Sequence, residues 1–223
     1  MRRIRGGVFV SLDGVMQAPG GPEEDWTGGF PHGGWLAPLF DETTGEAVDR
    51  LFAEPFDLLL GRRTYDIFAS YWPYAEGDSK PMGDLFDRIG KYVMTGGDQP
   101  LEWQNSHRVD SIEALAELKR GDGPDLVIQG SSTLYPQLLA AGLVDQLTIM
   151  TFPVVLGTGK RLFGDGTPPV TMTMVEQKVS PGGAVIATYQ PAGEVKVGTF
   201  PSHEPSEREK DRQRQMKHEE AAA

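Results

Sequence analysis

The chain has 223 residues, with 21 Lys and Arg against 32 Asp and Glu, a formal net charge of −11 at pH 7. That length suits one large domain, and 39 % hydrophobic against 24 % charged residues gives it the material for a buried core. The acidic balance argues against a nucleic-acid partner, which needs clustered positive charge, and the absence of cysteine removes disulfides, thiolate catalysis and cysteine-ligated metal centres.

Ile4–Leu12 reads as a first strand, rich in Val, Ile and Phe, and Gly14–Gly34 as a long Gly/Pro-rich loop holding Trp26 and Phe30. Ala47, Val48, Leu51 and Phe52 recur at helical spacing until Pro55 stops the helix. Asp57–Leu60 is a short continuous apolar run, the pattern of a strand buried on both faces of a parallel sheet. Helices follow at Thr64–Tyr71 and around Met82–Ile89, then a strand at Tyr92–Thr95. Asp110 with Glu113 predicts the cap of a helix that runs to Arg120 and ends at Gly121. Leu126–Gln129 is another buried strand, Gly130–Thr133 leads into a helix ended by Gly142, and Val144–Phe152 is a strand. Thr171–Val179 and Ala184–Gln190 alternate around Pro181-Gly182-Gly183, the signature of an antiparallel hairpin.

Repeated strand–helix alternation predicts the α/β class, with a mostly parallel sheet flanked by helices and closed by the antiparallel hairpin. Residues 1–190 form the expected domain, and residues 191–223 a polar tail of nearly balanced charge. Ser206 with Glu209 and the pairs Glu207–Lys210, Glu209–Arg212 and Asp211–Arg214 predict a helix over 206–220 with no core face of its own. No apolar run reaches the ~18 residues of a membrane span. The opening MRRIRGGVFVSLDG has neither the apolar stretch nor the cleavage site of a signal peptide, so a cytoplasmic protein is expected.

Ligands in such sheets sit at the carboxyl ends of the strands, and three turns there carry suitable chemistry. Gly61-Arg62-Arg63-Thr64 places two guanidinium groups and a hydroxyl at a helix start, where an anion or a plain solvated turn fits equally. Gly130-Ser131-Ser132-Thr133-Leu134 lets a pyrophosphate approach backbone amides, although on its own it reads as an ordinary capped helix start. Thr95-Gly96-Gly97 follows a third strand, and one dinucleotide laid across the sheet edge would meet all three turns. Gly157-Thr158-Gly159-Lys160 is not a P-loop, because Arg161 stands where Ser or Thr is required. The four histidines His32, His107, His203 and His218 are scattered, so no metal site is expected. Asp13 ends the first strand as either a turn residue or a proton-transfer group.

As an ordered set, Ser11-Leu12-Asp13-Gly14, Leu60-Gly61-Arg62-Arg63-Thr64-Tyr65, Tyr71-Trp72-Pro73, Gly130-Ser131-Ser132-Thr133-Leu134 and Pro153-Val154-Val155-Leu156-Gly157-Thr158-Gly159 resemble the dihydrofolate-reductase-like superfamily. The likeness is strongest to its riboflavin-biosynthesis reductase (RibD C-terminal) branch and the stand-alone relatives of that branch, and it covers roughly residues 3–190. The resemblance implies NADPH as cofactor. It would put Arg62, Arg63 and Thr64, after Gly61, near the adenosine 2′-phosphate, and Thr95 and Gly96 beside the adenosine. Gly130, Ser131, Ser132, Thr133 and Leu134 would hold the pyrophosphate, with Val10, Ser11 and Met16 flanking the nicotinamide. Trp35, Phe40 and Leu156 would face a planar substrate, with Trp26 and Phe30 in the same wall, or else the aromatic residues pack the long loop. Dihydrofolate reductases proper carry an acidic residue on the helix after the first loop; the matching position here is Gly45, with Asp41, Glu42 and Glu46 nearby.

The resulting expectation is an NADPH-dependent reductase acting on a C=N or C=O carbon of a pteridine, pyrimidine or similar heterocycle, with Asp13 or water delivering the proton. The rival is a non-catalytic nucleotide-binding or scaffold protein of the same fold. A homodimer is expected in either case.

Overall fold

In the computed structural model, which describes residues 1–200 and 204–221, Leu58, Leu59 and Leu60 are all fully buried. Successive strand residues point to opposite faces. Leu59 therefore packs with Leu126 and Ile128 on one side, while Leu58 and Leu60 pack with Val93 and Val127 on the other. A strand apolar on both faces must be covered on both, and that requirement sets the architecture.

The elements run β1 (Ile4–Ser11), α1 (Glu42–Leu51), β2 (Phe56–Gly61), α2 (Arg62–Tyr71), α3 (Lys80–Arg88), β3 (Lys91–Met94) and β4 (Ser106–Val109). Then come α4 (Ile112–Arg120), β5 (Asp125–Gln129), α5 (Leu134–Ala140), β6 (Gln146–Phe152), β7 (Met172–Val179), β8 (Val185–Pro191) and α6 (Glu207–Ala221). The eight strands form one sheet in the order β4-β3-β2-β5-β1-β6-β8-β7. Neighbours from β4 through β6 pair in parallel, whereas β8 runs antiparallel to both β6 and β7. The expected fold class is the observed one. Leu115 of α4 and Leu138 of α5 cover one face; Ala47 and Leu51 of α1, Tyr65 of α2 and Phe86 of α3 cover the other.

Three local expectations are corrected. The strand β4 was not anticipated, because Ser106, His107 and Arg108 stay outside the core and only Val109 is buried. The cap of α4 is Ser111, not Asp110: Ser111 has extended backbone and its hydroxyl accepts the Ala114 N–H at 3.1 Å. The hairpin pairing continues beyond residue 190, since Thr171 N–H donates to the Gly193 carbonyl at 2.8 Å.

In α6 the Ser206 hydroxyl accepts the Glu209 N–H at 3.3 Å, and Glu207–Lys210, Glu209–Arg212 and Asp211–Arg214 pair along a surface with no buried residue. His203 and the last two alanines lie outside the described residues. Among the described residues no helix is long and apolar enough to cross a membrane, and no group of three His, Cys, Asp or Glu side chains is placed to hold a metal.

Two glycines in β1 set how closely the helices approach. A Cβ on Gly6 would stand 2.9 Å from Cε1 of the fully buried Tyr135 ring and 2.8 Å from Leu147 Cδ1. Gly6→Ala should therefore overpack the α5 side and lower stability by about 1–3 kcal/mol in urea titration. An unchanged midpoint would show that α5 can retreat freely.

Candidate functional site

β1 and β5 part before β1 ends. β1 pairs with β5 only from Ile4↔Leu126 to Gly7↔Gln129, yet it stays paired with β6 as far as Ser11↔Phe152. Past Gly7 the chain after β5 has therefore left β1, and Val8–Ser11 has no partner strand on the edge nearest the turn that begins at Gly130, although Val8, Val10 and Ser11 stay buried. Such partings of neighbouring strand ends are where open α/β sheets bind ligands.

The turns after β2 and β5 are joined across this end of the sheet. The Ser131 hydroxyl accepts the Gly61 N–H at 2.9 Å and donates to the Gln129 carbonyl at 3.0 Å, while Ser131 N–H donates to Thr64 Oγ1 at 3.0 Å. Gly130 and Ser131 have φ of 56° and 59°. At Gly130 the glycine is required twice over, because a Cβ there would also meet Thr64 Cγ2 at 3.0 Å. Leu134 is buried and its N–H is taken by the Ser131 carbonyl at 2.9 Å. The N–H groups of Ser132 and Thr133 donate to no acceptor among the described residues. Successive free amides in a turn that passes through a left-handed residue can form an anion-binding concavity. The Ser or Thr cap expected at this helix start is absent, since Thr133 makes no side-chain cap.

The two arginines differ. Arg62 is committed: its Nε donates to both Asp66 oxygens at 2.9 and 3.1 Å, and Nη1 reaches the Gln99 and Pro100 carbonyls. Arg63 is 60 % exposed and makes a single 3.7 Å ion pair with Asp25. Thr95 donates its N–H to the Val109 carbonyl at 3.0 Å, and a Cβ on Gly96 would meet open space. A cleft of about 750 Å³ lined by Arg62, Tyr74 and Trp103 lies along α2 rather than on this rim, and it lacks the free amides.

Asp13 is an acceptor on every side. It takes the Ser11 hydroxyl at 2.7 Å and the N–H groups of Leu156 and Gly157 at 3.0 and 2.9 Å, with Arg161 3.7 Å away. The Leu156 N–H above all, then the Ser11 hydroxyl, hold its carboxyl down at about 2. These bonds give Asp13 the turn role between the two loops, with its carboxyl ionised at neutral pH. Together with the Val15–Arg161 bridge, it zips the loop after β1 to the loop after β6.

Val10, Ser11 and Met16, expected beside the nicotinamide, are 4 %, 1 % and 7 % exposed at the end of β1. Phe30 and Trp35 are buried; Trp35 donates Nε1–H to the Gln17 carbonyl at 2.9 Å and sits edge-on to Phe152. Trp35 thus packs the loop rather than forming an open wall. Phe40 is 45 % exposed and contacts Phe9 edge-on, and Leu156 is half-buried. Near Gly45, Asp41 caps α1 through the Thr44 N–H and is held at about 2 chiefly by that bond, while Glu46 pairs with Lys178. The sequence reading missed Asp25, Lys160 and Gln17. Gln17 holds the Asp25 and Thr27 carbonyls within the first loop, while Lys160 Nζ meets Asp25 at 2.5 Å and Lys160 N–H donates to Gln17 Oε1 at 3.0 Å, links between loops far apart in sequence that no local pattern announces.

Comparison with known proteins gives the family and the fold. Residues 3–186 match the family model described as the RibD C-terminal domain. The uncharacterized protein YyaP of Bacillus subtilis strain 168 is 29 % identical over 192 residues, covering 84 % of this chain and 94 % of that protein. A protein from Shewanella sp. PV-4, provisionally named for riboflavin biosynthesis, superposes with a TM-score of 0.61 at 19 % identity over 85 % of this chain and 99 % of its own. Dihydrofolate reductase from Enterococcus faecalis, solved with NADP(H), gives 0.52 at 16 % identity over 85 % and 96 %. These two likenesses show the fold.

The depressed Asp13 fixes the sign of a pH effect. A carboxyl whose folded value lies below its unfolded value stabilises above the unfolded value, near 4, and loses that contribution as pH falls through about 2. Asp13→Asn should melt below the parent protein at pH 6, and the gap should narrow steadily between pH 4 and pH 2. A gap independent of pH would mean that the Asp13 charge contributes nothing to the loop.

Proposed function

This chain belongs to the RibD C-terminal domain family, and on that premise we propose that it is an NADPH-dependent reductase acting on a C=N or C=O carbon of a pteridine, pyrimidine or similar heterocycle. The observation that carries the reading is the joined pair of turns, Gly61–Thr64 with Gly130–Leu134, whose Ser132 and Thr133 amides donate to no acceptor among the described residues. The donor set fits a phosphorylated dinucleotide. Two unengaged amides on a left-handed turn suit a pyrophosphate, and the loosely held Arg63 suits a 2′-phosphate. NADPH, when bound, supplies the hydride.

The chain's own residues bind, orient and exclude water. Thr64 and Ser131 hold the cradle in shape, and Thr95 and Gly96 offer open space for the adenosine. Val10, Ser11 and Met16 form the rigid floor beside the nicotinamide. Phe40 and Leu156 are the apolar contacts for a planar substrate, with Trp35 supporting them from the core. Water delivers the proton, since Asp13 is ionised and the carboxylates Asp41 and Glu46 are engaged in structural contacts. A cytoplasmic homodimer, with residues 1–190 as the catalytic unit and the tail apart from it, completes the proposal.

Calorimetric titration with NADPH and NADH tests the cofactor reading. NADPH should bind more tightly, and Arg63→Ala should cost about 1.5–3 kcal/mol, roughly ten- to a hundredfold, for NADPH alone. Arg62→Ala should cost less, because Arg62 already has protein acceptors. Equal affinity for the two cofactors, unmoved by Arg63→Ala, would sink the assignment.

Ser132→Asp should abolish cofactor binding while leaving the melting curve unchanged, since it sets a negative charge where phosphate must lie. Normal binding by that variant would place the pyrophosphate elsewhere. A panel of heterocycles under NADPH oxidation then separates the reductase from the non-catalytic alternative, which binds but does not turn over.

A further inference from the structure

Asp25, in the first long loop, has cations on two sides. Its Oδ2 meets Lys160 Nζ at 2.5 Å, and its Oδ1 accepts the Thr27 hydroxyl at 2.5 Å and the Thr27 N–H at 3.1 Å. Arg63 Nη1 stands 3.7 Å from the same Oδ1, outside hydrogen-bond distance. Burial pushes the Asp25 carboxyl up, but donation by Lys160 and then Thr27 brings it below its ordinary value. The carboxylate is thus satisfied without Arg63. Arg63 in turn receives charge balance from Asp25 and nothing more, for its guanidinium is 60 % exposed and donates no hydrogen bond among the described residues.

Strand order places the two cations on opposite sides. Arg63 lies in the first turn of α2, after β2, and Lys160 follows β6, with β5 and β1 between them. At about 4.8 Å per strand, those two strand ends are ~14 Å apart. One carboxylate of the first loop therefore meets a cation from each side of the place where β1 and β5 part. Arg63 also adjoins Thr64, whose hydroxyl accepts the Ser131 N–H and braces the turn that carries the unbonded Ser132 and Thr133 amides. A guanidinium fork with its donors unspent beside that turn suits a phosphate.

We infer that Asp25 is a specificity-determining residue that competes with a ligand's phosphate for Arg63. The inference rests on the proposed cofactor site and adds the control exerted on it. Without ligand, Arg63 leans on Asp25; when a phosphate arrives, the fork turns to it and Asp25 keeps Lys160. Two magnitudes give the sign. An exposed ion pair without a hydrogen bond is among the weakest contacts a protein makes, so Asp25 contributes little by steadying Arg63. A phosphate monoester carries about −1.5 to −2 charge at pH 7, and on Arg63 it comes to rest close to the Asp25 carboxylate. Repulsion outweighs steadying, so Asp25 lowers affinity for the phosphorylated cofactor and spares the one that brings Arg63 no phosphate.

Calorimetric titrations of the full chain at low ionic strength test this exchange, with melting temperature as the check on the loop. Asp25→Asn keeps an oxygen for the Thr27 donors and removes the charge. It should tighten NADPH binding roughly three- to tenfold and move NADH by less than about twofold. Lys160→Met leaves Asp25 to Arg63 and should weaken NADPH by a similar factor. In an Arg63→Ala background both shifts should shrink below about twofold, because the contested group is gone. The inference is overturned if Asp25→Asn leaves NADPH unmoved, if it weakens both cofactors together, or if the shifts keep their full size without Arg63. A parent chain that binds neither cofactor would end the reductase reading instead, and the exchange is then judged on inorganic phosphate followed by phosphorus NMR. Asp25→Asn should bind phosphate roughly three- to tenfold more tightly than the parent, and only with Arg63 present. Equal phosphate affinity, or none in either protein, overturns the inference on its own.

Discussion

The rim of this molecule depends on the hydroxyl of Ser131, which sits between two turns that belong to different strand–helix units. It accepts from Gly61 and donates to Gln129 while the amide of the same residue donates to Thr64. With Ser131 only 8 % exposed, these bonds form away from competing water, and losing one would strand a buried partner at a cost of about 1–3 kcal/mol. Their effect is positional. They hold Gly130 and Ser131 in the left-handed conformation, and the Ser132 and Thr133 amides that follow donate to no acceptor among the described residues. β1 and β5 part at the same end of the sheet, beyond Gly7↔Gln129.

Carboxylates elsewhere on the rim serve the same end. Asp13 gathers two amides and a hydroxyl from the loops after β1 and β6, and Asp41 starts α1 while reaching Gly182 in the closing hairpin. Asp25 stays ionised against its burial because Lys160 and Thr27 donate to it. Each is an anion that folds an irregular segment by accepting several hydrogen bonds, which is the condition that depresses a carboxyl group's proton affinity. The three carboxylates thus hold the long loops on this rim as anions.

The sheet was legible because its strands are short, apolar without interruption and separated by glycine or proline, so Leu58–Leu60 and Leu126–Ile128 announced burial on both faces. The hairpin was legible from its alternation. The edge strand β4 was not, since Ser-His-Arg-Val pairs with β3 but has no apolar period to show it. Lys91 was equally hidden. It reads as an ordinary charged residue, yet it is fully buried, with Nζ bonded to the Phe86, Asp87 and Ile89 carbonyls and lying 4.4 Å over the Trp103 ring. Its ammonium collects carbonyls near the end of α3 that would otherwise be buried without partners. Only the packing of α3 against the chain around Trp103 makes that role necessary.

At the rim, residue types were readable and their engagement was not. Gly61, Thr64, Gly130 and Ser131 were placed near one another by the rule that strand ends gather, and the strand order β2-β5-β1 brings them into contact. The difference between Arg62 and Arg63 could not be read from two adjacent identical letters. It arises because neighbouring positions at a helix start point about 100° apart around the axis, which sends Arg62 to Asp66 and the Gln99–Pro100 carbonyls and Arg63 toward Asp25. Trp35 and Phe40 diverge for a similar reason. Both lie at the end of the first long loop, but the Trp35 indole finds the Gln17 carbonyl inside the core, while Phe40 is left at the surface against Phe9. Local sequence thus specifies which groups reach the rim, and the partner each meets there decides whether it remains free to bind a ligand.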